Sequence, residues 1–310
     1  MSEQLSVRED GDAVLVFAED TEIARYVFRP DTPTYESPKP YLHPVRTLAG
    51  EEVTLLRPHD HVWHRGIQMT STDVSDNNFW GGATYVHGSG YVDLDNQGRM
   101  VHRSWNHVGM QDGRAVMHEV LDWLGKDGGR MLEEHREIQF TDIDPQAGRY
   151  RIRFRLALRN VTDRTLEFSS PTIAGRPDSG YGGLFWRGPR SFTGGRVLTA
   201  AGAQDAVAAM GSVSPWLAFT GRHDGSGRFS TIVFVDHPAS VRYPTKWFVR
   251  SEPFACVSFA FMFDEIFSLP PGETLTLIHD VIVADGALDA ADVRHLVDHV
   301  PDRTGSAHVA

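Results

Sequence analysis

Cysteine is almost missing from this 310-residue sequence: Cys256 is the only one, so no intramolecular disulfide can form. It sits in the apolar run ACVSFAFMF, where a small buried hydrophobe is expected rather than a reactive thiol. Positive charge is also scarce. Thirty Lys and Arg against 41 Asp and Glu leave a net charge of -11, which offers no electrostatic footprint for nucleic acid or an anionic membrane surface. No apolar run reaches the roughly 18 residues of a membrane span, and the start MSEQLSVREDGDAV lacks the basic and apolar regions of a signal peptide. A cytoplasmic protein is expected. Glycine pairs occur at 81–82, 128–129, 182–183 and 194–195, but none fits a dinucleotide fingerprint or a P-loop. No low-complexity linker divides the chain, and no internal repeat is visible.

What is present is alternation. Over 148–160, Arg151, Arg153, Arg155 and Arg159 fall on one side and Ile152, Phe154, Leu156 and Leu158 on the other, the period of a half-buried strand with one wet face. Further β-rich runs lie at 13–17, 22–28, 51–56, 100–110, 115–124, 135–143, 230–236, 246–250, 256–263 and 274–283, punctuated by Gly, Pro, Asp and Asn. One helix is expected near the C-terminus, with Asp289 as its cap and Leu288, Val293, Leu296, Val297 and Val300 at helical spacing. The fold class is therefore all-β: a large antiparallel β-sandwich with a short C-terminal helix, one domain over 1–300, followed by a small polar tail, 301–310, expected to be mobile. With 41% hydrophobic residues the chain can fill such a core.

Four of the 15 histidines, His43, His59, His61 and His64, fall within 22 residues, where an even spread puts about one. The segment RPHDHVWHRG adds Asp60, Trp63 and Arg65 on what reads as a loop. Three readings stay open. His61 and His64, with His43 or a carboxylate such as Asp60 or Glu36, have the donor types for a divalent metal. A histidine can instead act as general acid or base, oriented by Asp60, while Arg65 binds a substrate oxygen. Or the loop is a hydrogen-bonded anchor that packs Trp63. Three further groups mix polar, basic and aromatic residues: His102 in VHRSWNHV, lining a cleft or belonging to a cross-strand polar face; Tyr181, Phe185, Trp186 and Arg187 in GYGGLFWRGP, which suit a sugar though core packing explains the rings equally well; and Asp236, His237, Trp247 and Arg250 in VDHPASVRYPTKWFVR, either a site or solvated loop polarity.

The run 39–80, KPYLHPVRTLAGEEVTLLRPHDHVWHRGIQMTSTDVSDNNFW, resembles the bacterial family named methane oxygenase PmoA-like, whose function is otherwise undefined. VHRSWNHV, GYGGLFWR and VDHPASVRYPTKWFVR followed by LPPGETLTLIHDVIVADG extend the resemblance to about residue 287. It implies a β-sandwich among bacterial sugar-catabolism proteins and places the family's HxxHRG motif on His61, His64, Arg65 and Gly66. Where the usual motif reads DHPHHRG, this chain has Val62 and Trp63; the stretch AGRPDSG also lacks a Lys-Glu pair expected before GYGG. The expectation is a carbohydrate-active enzyme on a sandwich resembling galactose mutarotase, a lyase, hydrolase or epimerase acting on a sugar or oxidised glycoside. His61, His64, Arg65 and Asp60 are its catalytic candidates. His43, His102, Tyr181, Trp186, Arg187, Asp236, His237, Trp247 and Arg250 are its substrate-binding candidates. A noncatalytic sugar-binding accessory protein and a metal-dependent oxygenase are the alternatives; a divalent metal and a homo-oligomer are left open.

Overall fold

The computed structural model describes residues 5–300, so the tail expected to be mobile, 301–310, lies outside the described residues. Runs that alternate apolar and polar side chains pair here as two large antiparallel sheets. One has eight strands in the order Leu5–Asp10, Ala13–Ala18, Thr21–Val27, Tyr41–Val45, Ile67–Thr70, Gly183–Arg187, Cys256–Phe259 and Trp247–Arg250. The other has nine: Gly202–Gln204, Arg196–Thr199, Trp216–Arg222, Phe229–Asp236, Thr274–Asp285, Arg149–Asn160, Arg130–Asp144, Arg114–Leu124 and Arg99–Gln111. Between them lies one continuous core, to which the first sheet brings Val14, Tyr26, Leu42, Met69, Trp186 and Trp247 and the second Trp123, Phe140, Ile152, Phe154, Phe234 and Leu277. This is the large antiparallel sandwich expected, with its short C-terminal helix. No helix among the described residues is long and apolar enough to cross a membrane.

The helix Ala290–Asp298 starts where the sequence places it. Asp289 accepts from the backbone N–H of Ala291 and Asp292, and Asp292 returns the bond to the Asp289 N–H, a capping box. Its Val293 and Val297 pack with Val300 on Trp216, Val233, Val235 and Ile282, covering the outer face of the nine-stranded sheet. The arginine face of Arg149–Asn160 is consequently less wet than expected. Arg151 and Arg153, which share that face with Asp280 and Ile282, both bond to Asp280, itself 1% exposed.

Two expected strands fall short. Segment 51–56 forms only isolated bridges, because a turn at Thr47–Gly50 leads into it and Leu55 then bonds two different neighbours, its N–H to Arg187 and its carbonyl to Gly66. The run 256–263 stops pairing at Phe259, where Phe263 N–H turns back to Ala260. Beyond the core, the eight-stranded sheet carries a second apolar layer on its outer face: Trp80, Tyr181, Phe185, Phe248, Phe254, Cys256, Ala260 and Phe263, joined by Trp63 and Met210. That layer is where the chemistry gathers.

Candidate functional site

The strand period decides which side chains reach it. In Gly183–Arg187, Leu184 and Trp186 enter the core while Phe185 and Arg187 face outward; in Trp247–Arg250, Trp247 and Val249 enter the core while Phe248 and Arg250 face outward. Cross-strand register then sets Arg187, Cys256 and Arg250 in one row and Phe185, Ser258 and Phe248 in the next. Over these rows opens a cavity of about 260 Å³. Its floor and walls include Phe185, Phe248, Phe254, Cys256, Trp80 and Tyr181, and toward its rim stand Tyr35, Tyr91, Arg176, Arg250 and Trp63. His61 and His64 complete the lining.

The histidine loop is built from two successive turns, His61 N–H to the Pro58 carbonyl (3.0 Å) and His64 N–H to the His61 carbonyl (2.9 Å), closed by Arg57 N–H to the His64 carbonyl (2.9 Å). A three-residue step brings the two imidazoles together, stacked at 4.7 Å and 23°. Gly81 and Gly82 admit Trp63 beside them: a Cβ on Gly82 would sit 2.6 Å from the indole ring. Lys39, fully buried, ties this region together by donating to the carbonyls of Glu36 (3.1 Å), Ser37 (2.6 Å) and Trp80 (3.0 Å).

The two histidines are not equivalent. Arg187 Nη1 donates to His64 Nδ1 at 3.0 Å, and a guanidinium has no lone pair to give in return. The His64 proton must therefore sit on Nε2, which is buried and has no hydrogen-bond partner among the described residues. Burial first, then the charges of His61, Arg187 and Lys39, hold His64 well below the usual imidazole value, so it is a neutral N–H donor. His61 is a third exposed, with Nδ1 3.2 Å from Asp60 Oδ2 but not aligned as a hydrogen bond. With Nδ1 buried against that carboxylate, Nε2 is the nitrogen a ligand meets. Burial lowers the His61 pKa, Asp60 opposes, and Arg187 and Arg250 add to the lowering. Burial raises the Asp60 pKa, but His61, a backbone N–H and Arg187 outweigh it and hold the carboxyl below its usual range. Asp60 is also paired with Arg190. Burial pulls Arg187 down to about 10, which leaves it charged at neutral pH, its Cζ 3.6 Å from the Phe254 ring centre.

Several candidates are placed elsewhere. Arg65 is bonded to the Glu36 carboxylate and to Thr32 Oγ1 (2.7 Å) and lies outside the cavity lining: it is a buried clamp rather than a catalytic group. Glu36 is likewise engaged by Arg57 and Arg65. Trp186 and Trp247 are core residues whose indole N–H groups bond the carbonyls of Val53 and Ser214, both at 2.8 Å; strand alternation points them away from the cavity. His102 bonds Glu119 (2.7 Å) against Phe28 and Trp105, in a polar cluster with Tyr26 and Arg136. Asp236 accepts from the backbone of His237 and Thr245 and faces His279 at 3.1 Å, so it holds a loop; His237 takes part in the same loop through Ala239 N–H. His43 bonds Thr54 Oγ1 (2.9 Å) away from the cavity. What the structure brings together is His61, His64, Tyr181 and Arg250, with Asp60 and Arg187 immediately behind. Among the described residues no three of His, Cys, Asp and Glu are placed to hold a metal ion. Cys256, pushed up to about 12 by burial, is an inert wall.

His43 gives a measurable pH signature. Thr54 Oγ1, a hydroxyl that also accepts from Val45 N–H, holds His43 at Nδ1 (2.9 Å). Burial, then the Arg46 charge, lowers its pKa to about 4. The unfolded histidine takes a proton near 6.5, so stability is present above that pH and is lost as pH falls toward 4, by about 2–3 kcal/mol. Asp73, raised to about 6 by burial, works in the opposite direction, so a difference is the right measurement. Urea midpoints of the wild type and His43→Gln at pH 7.5 and 4.5 are expected to converge at the lower pH; parallel pH profiles would refute the assignment.

Residues 13–298 match the model of DUF6807, a family of unknown function, and the chain belongs to that family. No curated protein matches it. Among solved structures it is similar to the GH36 alpha-galactosidase AgaA from Geobacillus stearothermophilus in complex with raffinose, at 12% identity and a TM-score of 0.35, over 92% of this chain and 40% of that one. The alpha-galactosidase from Lactobacillus brevis is similar at 8% identity and a TM-score of 0.36, over 91% of this chain and 39% of that one. The chain spans about 40% of the length of these enzymes.

Proposed function

We propose that this DUF6807 protein binds a small carbohydrate in the cavity and acts on it by histidine acid/base chemistry. The observation that carries the reading is the division of labour between His61 and His64. His61, backed by Asp60, is the group suited to take and return a proton; His64, its Nδ1 occupied by Arg187, presents Nε2–H to a substrate oxygen on which charge develops. Aromatic walls such as Trp80, Tyr181 and Phe248 suit the apolar face of a sugar ring, and Tyr91 and Arg250 supply polar contacts for its hydroxyls.

Among the reaction types, hydrolysis by a carboxylate pair needs two carboxyl groups about 5–10 Å apart across the bond, and the cavity lining contains none. A lyase- or epimerase-type step, in which His61 removes a proton beside the carbonyl of an oxidised sugar, fits the residues better. The oxygenase alternative is weakened by the commitment of both nearby carboxylates, Glu36 to Arg57 and Arg65 and Asp60 to Arg190. Kinship with the PmoA-like family stands as a proposal beside this one.

The test is proton exchange. A panel of sugars, glycosides and their keto derivatives is incubated with the protein in deuterium oxide and followed by NMR. Deuterium entry at a carbon beside a carbonyl, absent with His61→Ala, is the expected result. Binding across the panel without exchange or conversion would leave a noncatalytic sugar-binding protein.

A further inference from the structure

Among the described residues four arginines are buried: Arg65, Arg136, Arg151 and Arg187. The first three each hydrogen-bond a carboxylate, namely Glu36, Glu134 and Asp142 with Asp280. Arg187, wholly buried, has none. Its one side-chain hydrogen bond goes to a neutral imidazole, its Nε and Nη2 are unpartnered, and Asp60 stands 3.8 Å away while bonded to Arg190. Buried charge is normally paired, because desolvation is costly otherwise. Nearby, Arg250 faces the cavity over Phe248, in a lining that holds no carboxylate. In a chain of net charge -11, the cavity is lined by cations and by no Asp or Glu.

Resting on the carbohydrate reading, we infer that the ligand is anionic, a sugar acid whose carboxylate is held between Arg250 and the His64 Nε2–H that Arg187 orients. Arg187 acts through His64: it fixes the tautomer and polarises the N–H toward the ligand oxygen. It is a positioning residue, and the bound carboxylate adds to the partial balance that Asp60 gives its charge from 3.8 Å.

Calorimetry at pH 7 with D-galacturonate, D-glucuronate, galactose, glucose and malonate is the test, with 15N NMR of the histidine rings as an independent measure of the His64 tautomer. Uronates are expected to bind at least about tenfold more tightly than their neutral parents, and Arg250→Gln is expected to remove that preference. Nε2-protonated His64 in the wild type, shifting toward mixed tautomers in Arg187→Met, is the expected NMR result. Malonate binding without sugar binding would support the anion site and reject the carbohydrate reading. Neutral sugars binding as well as the uronates, or no binding by any anion including malonate, would overturn the inference, as would a preference for uronates that survives Arg250→Gln.

Discussion

Replacement of His61 by alanine is expected to lower turnover of any sugar the protein converts by about 10²–10⁴, with sugar affinity changing much less, because a general base acts on the transition state. Its neutral form is the active one. Burial and the charges of Arg187 and Arg250 lower its pKa against the opposing Asp60, so the rate should hold through neutral pH and fall on the acid side below the ordinary value of about 6.5. Asp60→Asn removes that opposition and should move the acid limb lower while reducing the maximal rate. His64→Gln keeps a donor N–H and should retain the acid limb, since His64 has no free lone pair to act as base. An acid limb unchanged in His61→Ala but lost in His64→Gln would reverse the two roles and reject the assignment.

How much of this the sequence discloses depends on which physical signal writes it. The period-2 runs, the Asp289 cap and the clustering of His61 and His64 beside Asp60 are local patterns, and local patterns survive into structure. The face of a doubly buried strand is not local. Gly183–Arg187 is buried at every position, so alternation gives no polar marker and Trp186 looks as available as Phe185 or Arg187. The same ambiguity makes Trp247 a candidate while Phe248 next to it lines the cavity. Tyr35, Tyr91, Arg176 and Phe254 come from separate segments that only the fold converges, and no spacing announces them. Arg65 misleads for a different reason. A motif arginine beside two histidines reads as chemistry, yet its partner Glu36 lies 29 residues away and turns it into a clamp.

The Gly66→Ala substitution is expected to cost about 3–5 kcal/mol, enough to leave little folded protein in a domain of ordinary stability. Two effects add. Gly66 has φ +53°, a left-handed conformation that costs an L-residue about 1–2 kcal/mol. A Cβ there would also sit 2.0 Å from the Leu42 carbonyl oxygen and 3.0 Å from His43 Cβ, with backbone that cannot move aside cheaply. The carbonyl of Gly66 accepts from Arg187 N–H (2.8 Å) and its N–H donates to Leu55 (3.0 Å), so any shift at this residue is passed to the strand that carries Phe185 and Arg187. Gly11→Ala separates the two effects: φ is +59° there and a Cβ would meet open space, so only the conformational cost of about 1–2 kcal/mol should appear. Urea midpoints of both variants against the wild type measure the difference. Equal losses would mean that the close approach to Leu42 is relieved at no cost and that the glycine of HxxHRG serves its φ angle alone. A larger loss in Gly66→Ala, in a variant whose folded fraction also binds ligand more weakly, would place this glycine as the residue that lets the histidine loop lie against the cavity floor.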